Sequence, residues 1–298
     1  MPNPLRKSLE SGHFAVTAEL TPPRGADFDS LSVAARILQP AVSAVNLTDG
    51  AGARVRMSSL AAAIHLKRIG VEPIMQVTCR DRNRIAIQSD LLGAAAFGVS
   101  NILVLTGDNV ESGDDPDAKP VYDFDSRSLI TALNSMSTKG TTLSGAELTT
   151  TPDFFPGAAD APVDPPSDWT PNSLQVKQDA GARFIQTQYC YDMDVLGRYM
   201  QRLTDLGITE KLYFLVGLGP LRSAKGATWM RDNLIGTIMP DGIIRRMEAA
   251  RDPRVEGVKI CAELIQQTRD INGISGVHMM APGLHQEMVE SVELAGML

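Results

Sequence analysis

Short apolar segments alternate with amphipathic segments along almost the whole chain, and this alternation limits the possible folds more than any other feature. The apolar segments predict eight β-strands, at residues 13–20, 43–48, 73–79, 101–106, 141–147, 183–188, 211–217 and 275–280. Helical periodicity predicts partner helices at 27–38, 57–69, 82–97, 126–138, 172–180, 193–206, 223–232 and 282–294, with a further helical segment at 240–271.

Repeated strand–helix units are typical of parallel sheets, and eight of them predict an α/β fold of the (β/α)8 TIM-barrel type, with residues 1–298 forming a single domain. The segment 141–147 has the weakest strand pattern because Thr and Gly dilute its apolar residues. An open, doubly wound sheet is therefore the alternative fold.

Composition excludes several classes of function. The chain has 28 Lys and Arg against 35 Asp and Glu, a formal charge of −7, and no long basic run, so we expect no nucleic-acid partner. No apolar stretch approaches the roughly 20 residues that span a bilayer, and the first residues lack an apolar signal core. We therefore expect no membrane partner and a cytoplasmic location.

The cysteines and histidines show no metal-binding pattern. Cys79, Cys190 and Cys261 lie far apart and form no Cys-x-x-Cys pair, so we expect reduced, packed thiols and no metal site. The histidines likewise lack ligand spacing.

Two long segments interrupt the strand–helix alternation. Residues 107–123 and 149–171 are polar and dense in Gly, Pro and Asp, and both are predicted to leave the ends of strands. Long loops in a compact domain are often binding loops, and a barrel places its active site at the carboxyl ends of its strands. Simple surface insertions are the alternative interpretation.

Polar residues are predicted at the carboxyl ends of several strands, which would place them together on one rim of the barrel. They are Glu19, Thr48 with Asp49, Asp108 and Gln188. Glu19 follows apolar residues and precedes Pro22 and Pro23. An apolar environment disfavours the charged carboxylate, which suits a general acid, whereas a helix-capping or ion-pairing role is the alternative.

The segments after the fourth predicted strand suggest a ligand site. Gly107 would let the backbone approach a planar ligand, and Asp108 follows it. Residues 118–126 supply an aromatic ring at Tyr122 and a predicted helix start at Ser126, which favours a phosphate group. No Gly-x-Gly-x-x-Gly or Walker motif is present, so a dinucleotide would be held by the barrel rim.

At these same residues the sequence resembles the methylenetetrahydrofolate reductase family, in particular its short bacterial members without a regulatory domain. The resemblance runs through nearly the whole chain, in ordered segments: AELTPPRG, NLTDGAGARVRMSSLA, QVTCRDRNRIAIQSDLLGA, ILVLTGD, AKPVYDFDS, FFPGAA, QDAGARFIQTQYCYD, VGLGPLRSAKGA, and GVKICAELI through GVHMM. The resemblance implies a (β/α)8 barrel that carries FAD non-covalently.

The resemblance also assigns roles to individual residues. Glu19 matches the family's proposed general acid, Asp108 an acid near the flavin and the pterin, and Gln188 a glutamine that contacts the pterin or the nicotinamide. The implied flavin contacts comprise Thr48, Gln76, Thr106, Gly107, Asp108, Tyr122, Asp125 and Lys177. Gln76 stands where some members have histidine, and Thr106 where many have arginine. Residues 153–171 also depart from the family pattern, which leaves FMN or no flavin as alternatives to FAD.

The resemblance implies reduction of 5,10-methylenetetrahydrofolate to 5-methyltetrahydrofolate by NADH or NADPH, through a ping-pong hydride relay. We expect a homo-oligomer. Direct reduction by NADH without flavin is the second hypothesis. The third is a folate- or flavin-binding subunit that receives electrons from a partner protein, because the chain has no iron–sulfur cysteine pattern of its own.

Overall fold

A computed structural model describes residues 3–298 and shows eight parallel strands closed into a barrel, in the order β1 to β8. The last strand pairs with the first through Val277 and Val16, which closes the sheet. The strands are β1 Ala15–Leu20, β2 Ala44–Leu47, β3 Pro73–Thr78, β4 Asn101–Leu105, β5 Phe155–Asp160, β6 Phe184–Tyr189, β7 Tyr213–Leu218 and β8 Ile274–Met279. The predicted (β/α)8 barrel is confirmed, and the open-sheet alternative is wrong.

Helix α1 precedes the first strand, and the later helices follow the strands and form the outer layer. They are α1 Pro4–Glu10, α2 Asp29–Leu38, α3 Ser59–Arg68, α4 Arg84–Ala96, α5 Ser126–Thr138, α6 Asn172–Ala180, α7 Met193–Asp205, α8 Ala224–Asn233, α9 Asp241–Glu248, α10 Pro253–Arg269 and α11 His285–Leu294. The continuous helical segment predicted at 240–271 is wrong in detail. Asp252 caps a new helix, and Pro253 occupies its first turn, so the segment divides into α9 and α10.

The fifth strand lies elsewhere than predicted. Residues 141–147 form a turn with one antiparallel bridge between Thr141 and Glu147. The strand is instead Phe155–Asp160, inside the segment 149–171 that was predicted to be a loop. Its sequence, FPGAAD, contains Pro and Gly in place of β-branched residues, so its residue pattern does not predict a strand. Gly157 is required there because a Cβ would lie 2.2 Å from Cζ of Phe184 on β6.

Alternate residues of each strand face the helices or the barrel interior. The helix-facing residues form the large apolar core between sheet and helices. At the amino end of the barrel, the inward residues form a separate apolar layer with Leu5 and Leu9 of α1, which closes this end. The strand residues of this layer are Ala15, Ala44, Ile74, Leu103, Phe155, Phe184 and Leu215.

The next inward positions toward the carboxyl end carry mostly buried polar side chains. They include Thr17, Asn46, Gln76, Gln186 and His278, each at most 5% exposed. The barrel interior is therefore apolar at its closed end and polar below its open mouth, which positions the candidate site.

The three cysteine thiols are free and buried, as predicted. Burial raises the pKa of Cys79, Cys190 and Cys261 to about 12 in each case. At pH 8 only about one thiol in 10⁴ would then be the reactive thiolate.

We expect native protein to react with a disulfide reagent such as 5,5′-dithiobis(2-nitrobenzoate) at least about 100-fold more slowly than protein in guanidinium chloride. Rapid labelling of the folded protein would contradict this environment.

Candidate active site

Glu19 is the acid at the mouth of the barrel. It is an inward residue near the end of β1, and 22% of its side chain is exposed. Gln76 of β3 donates from Nε2 to Oε2 of Glu19 at 3.2 Å. On the other side, Nε2 of His278 lies 3.8 Å from the same oxygen. The carboxyl group is thus held between two side chains of the polar layer while it remains accessible from the mouth.

The ends of β2 and β3 are joined through Asp49. Its carboxylate accepts hydrogen bonds from the backbone N–H of Thr78 at 2.9 Å and the Thr78 hydroxyl at 3.1 Å. Arg82 forms an ion pair with the same carboxylate. Thr48, immediately before Asp49, is 3% exposed, and its Oγ1 has no hydrogen-bond partner within the described residues.

Arg80 joins three loops at the carboxyl ends of the strands. Its buried guanidinium pairs with Asp81 at 2.6 Å and donates to the carbonyl oxygens of Gly50 and Asp108, each at 3.2 Å. Gly107, with φ of +97°, permits this arrangement because a Cβ there would lie 2.9 Å from Cβ of Arg80. Glycine adopts such a positive φ without strain, which other residues rarely do.

Asp108 is exposed at the end of β4, and its Oδ2 accepts from the backbone N–H of Gly52 at 2.7 Å. Thr106 is also exposed. Gln188, near the end of β6, donates to the carbonyl of Ile235 at 3.2 Å and accepts from the N–H of Tyr189. Both Asp108 and Gln188 lie on the predicted rim, but no hydrogen bond joins them among residues 3–298.

The loop between β4 and α5 has an unusual backbone conformation at Tyr122. Tyr122 is 43% exposed and has φ of +43°, a region that non-glycine residues rarely occupy. The N–H of Val121 donates to the carbonyl of Arg80 at 2.7 Å, and Asp123 pairs with Arg84 at 2.8 Å. These contacts on both sides of Tyr122 stabilise the turn that presents its ring to solvent.

Asp125 begins α5. Its carboxylate accepts from the backbone N–H of Ser128 at 2.7 Å, and the Ser128 hydroxyl completes a capping box. These hydrogen bonds, first of all the one from the Ser128 side chain, hold the pKa of Asp125 below its usual range. The predicted helix start at Ser126 is confirmed, and Asp125 has a structural role as its cap.

Lys177 reaches from α6 to the end of β5. Its Nζ donates to the carbonyl of Ala159 at 2.7 Å and lies 3.7 Å from Oδ1 of Asp160. The other carboxyl oxygen of Asp160 accepts from the hydroxyl of Tyr199. Burial raises the pKa of Asp160, and these two partners oppose the shift. Lys177 therefore also compensates a buried acid.

The structure thus places the predicted strand-end residues on one rim and brings Glu19 and Gln76 into direct contact. The sequence analysis did not identify the buried polar residues below the rim, in particular His278. It also did not identify the role of Arg80 in joining the loops. The available signal was the recurrence of polar residues at every second position of buried strands, as at Thr17 with Glu19 and Asn46 with Thr48.

The rim has features that fit a polar, planar ligand such as flavin. The buried Oγ1 of Thr48 and Nε of Arg82 have no hydrogen-bond partner in the part of the chain that the structure describes. By contrast, residues 3–298 contain no group of three His, Cys, Asp or Glu side chains that could hold a metal ion. Nor do they contain a helix with the length and hydropathy of a membrane span.

Two solved structures share the architecture. One is a Clostridium thermocellum protein that binds two copies of 5-methyl-5,6,7,8-tetrahydrofolic acid, with a TM-score of 0.59, 13% identity, and coverage of 98% of this chain and 97% of that one. The other is the long-chain alkane monooxygenase LadA, with a TM-score of 0.55, 11% identity, and coverage of 95% and 90%. At these identities the likeness shows the fold alone.

Two curated relatives extend the comparison to sequence. Methylenetetrahydrofolate reductase (NADH) 1 of Arabidopsis thaliana is 24% identical over 288 residues, which cover 92% of this chain and 47% of the relative. The 5,10-methylenetetrahydrofolate reductase of Pectobacterium carotovorum is 26% identical over 218 residues, covering 72% and 66%. The chain thus spans between about half and two thirds of their lengths. The family model described as methylenetetrahydrofolate reductase matches residues 4–294. With that match along nearly its full length, the chain belongs to the methylenetetrahydrofolate reductase family.

Proposed function

We propose that this chain reduces 5,10-methylenetetrahydrofolate to 5-methyltetrahydrofolate with NADH or NADPH, as a flavin- and folate-binding barrel. The observation that carries this proposal is the position of Glu19, an acid held by Gln76 below the open mouth of the barrel. Family membership supports the reaction, and the NADH in the name of the Arabidopsis relative supports NADH as the donor. The folate bound by the Clostridium protein of the same fold supports the substrate class.

The chain's own residues supply the acid–base part of the reaction. Glu19 gives its proton to N10 of the substrate, which opens the five-membered ring and leaves an electrophilic iminium at N5. Gln76 donates to Oε2 of Glu19 and so orients the carboxyl group toward the mouth. Gln188 and Asp108 lie on the rim, where they would contact the pterin and the nicotinamide.

We propose FAD as the bound cofactor, with its contacts at Thr48, Gln76, Thr106, Gly107, Asp108, Tyr122, Asp125 and Lys177. A flavin in this site would carry hydride from the nicotinamide to the folate. The buried hydroxyl of Thr48 has no hydrogen-bond partner within residues 3–298 and could bond such a ligand, and Tyr122 has an exposed ring. Asp125 would act chiefly by maintaining the start of α5, since Ser128 already occupies its carboxylate.

Tyr122→Ala is the cleanest test of the flavin contacts, because Lys177 also stabilises Asp160 and its loss would disturb the fold. Loss of an aromatic contact worth ~0.5–1.5 kcal/mol should weaken flavin binding about 2- to 10-fold. Equilibrium dialysis with FAD and FMN measures this, and extraction from purified protein identifies the flavin. Trp229→Ala, an exposed aromatic on α8, is the matched control. Equal flavin affinity in both variants would remove Tyr122 from the site.

Steady-state kinetics of the isolated chain test the function itself. If NADH and the folate use one pocket in turn, double-reciprocal plots at several folate concentrations should be parallel, and each substrate should inhibit the other at high concentration. Intersecting plots would favour direct reduction by NADH in a ternary complex. Activity that appears only after a partner protein is added would favour the electron-receiving subunit.

A further inference from the structure

A cavity of about 290 Å³ lies between the loops that follow β2, β3 and β4. It adjoins the candidate site, because the lining residues Asp49 and Gly50 directly follow Thr48, a proposed flavin contact. The lining also contains four arginines, Arg54, Arg56, Arg80 and Arg82. The charge balance of these arginines determines which ligands the cavity can bind.

Acidic side chains compensate two of the four arginines. Arg80 forms an ion pair with Asp81. Arg82 forms ion pairs with both Asp49 and Asp90. These two arginines and their three acids therefore leave no positive charge in excess.

Arg54 and Arg56 have no such compensation. No salt bridge joins either guanidinium to an Asp or Glu within residues 3–298. Nη1 of Arg56 donates to the carbonyl of Pro22 at 3.3 Å, but its buried Nε has no hydrogen-bond partner in the described part of the chain. The remaining acid of the lining, Asp115, is exposed, so water screens its charge. Two cations are thus in excess, and one has a buried donor that is costly to leave unpaired.

The backbone holds these two arginines toward the same space. Arg54 is extended, with φ of −109° and ψ of 140°, and residues two positions apart in an extended segment point to the same side. Neighbouring loops fix this segment, since the N–H of Val55 donates to Asp114 and the N–H of Met57 to the carbonyl of Pro23, each at 2.9 Å. Two like charges held in this way repel each other unless an anion lies between them.

Helix α3 begins at the same cavity. Ser58 lines the cavity and caps this ten-residue helix, with its Oγ accepting from the N–H of Ala61 at 3.2 Å. The start of a helix carries a partial positive charge, which adds to that of the arginines. Guanidinium groups beside a helix start favour the oxygens of a phosphate group.

We propose that this cavity binds a phosphate group of a dinucleotide, held by Arg56 and Arg54. Nε and Nη2 of Arg56 lie along one edge of the guanidinium, and such an edge can bind two phosphate oxygens side by side. NAD(P)H and FAD both carry phosphate groups, and the cavity adjoins the rim that would hold their rings. The choice of these dinucleotides rests on the proposed function, whereas the phosphate site itself does not.

Binding of inorganic pyrophosphate tests the site without any reaction. In phosphate-free buffer, isothermal titration calorimetry should show binding to the wild-type chain, weakened about 10-fold in Arg56→Gln by loss of a charge-assisted contact. Arg54→Gln should also weaken it, by about 3-fold, and this exposed residue tests the site even if Arg56→Gln is unstable. Arg68→Gln, an exposed residue at the other end of α3, is the matched control and should bind as wild type. No binding by wild type, or equal affinity in all four proteins, would overturn the proposal.

Titrations with NADH and with FAD identify the source of the phosphate. At least one of them should bind about 10-fold more weakly to Arg56→Gln than to wild type, and the dinucleotide that loses affinity is the one held in the cavity. Unchanged affinity for both, or binding of a γ-linked triglutamate in place of pyrophosphate, would contradict a dinucleotide phosphate site. Failure of the proposed function is distinct, because wild-type protein would then form no 5-methyltetrahydrofolate while pyrophosphate still bound.

Discussion

Glu19→Gln should reduce the rate of folate reduction by at least about 10²-fold, the usual effect of removing a general acid. The variant keeps the size of the side chain and the contact with Gln76, but it cannot protonate N10. Oxidation of NADH with an artificial acceptor such as menadione should stay near the wild-type rate, because that reaction needs no proton at N10. Stopped-flow absorbance measures both reactions on the same protein.

Glu210→Gln is the matched control for this loss. Glu210 is exposed before β7, at the amino end of the barrel, so its substitution should leave both rates unchanged. If Glu19→Gln lowered NADH oxidation as strongly as folate reduction, Glu19 would have a structural role, and the assignment of the acid would be wrong.

Phe184→Ala should lower the free energy of unfolding by about 3–5 kcal/mol, far more than substitution of an exposed aromatic residue. Phe184 is fully buried in the apolar layer that closes the barrel, and it stacks on Phe155 with ring centroids 5.5 Å apart. Its ring also packs over Gly157, which has no side chain to fill the resulting space. Urea denaturation followed by circular dichroism measures the change.

The exposed Phe97 at the end of α4 provides the comparison. It is 48% exposed, so Phe97→Ala should cost no more than about 1 kcal/mol. A loss below about 1 kcal/mol for Phe184→Ala as well would mean that the closed end of the barrel adds little to stability.

The barrel itself was predictable because seven of the eight predicted strands overlap strands of the structure. Buried parallel strands with β-branched and aliphatic residues carry a local signal, as in NILVL of β4. Strand β5 carries none, since FPGAAD has the composition of a loop. Its position is determined by tertiary packing, in which Gly157 accommodates the ring of Phe184. Such a contact between neighbouring strands has no signature in either strand alone.

The site was predictable only in part, because its contacts join strands that are far apart in the sequence. Strand ends marked Glu19, Asp108 and Gln188 as rim residues, and the structure places them there. The partners of Glu19 come from β3 and β8, so no spacing in the sequence joins them. Polar residues at alternate positions of buried strands do mark the interior layer, but their contacts depend on barrel closure. Asp125 and Lys177 were assigned to the ligand, yet both also have structural partners that only the folded chain reveals.

The most direct test of the proposed reaction is the ratio of 5-methyltetrahydrofolate formed to NADH consumed by the isolated chain. Purified protein is supplied with NADH and 5,10-methylenetetrahydrofolate under anaerobic conditions, and mass spectrometry quantifies the methyl product. We expect one molecule of 5-methyltetrahydrofolate for each NADH, with formation lost in Glu19→Gln. Consumption of NADH without the methyl product, or equal product from wild type and Glu19→Gln, would contradict a barrel that reduces folate through an acid at its mouth.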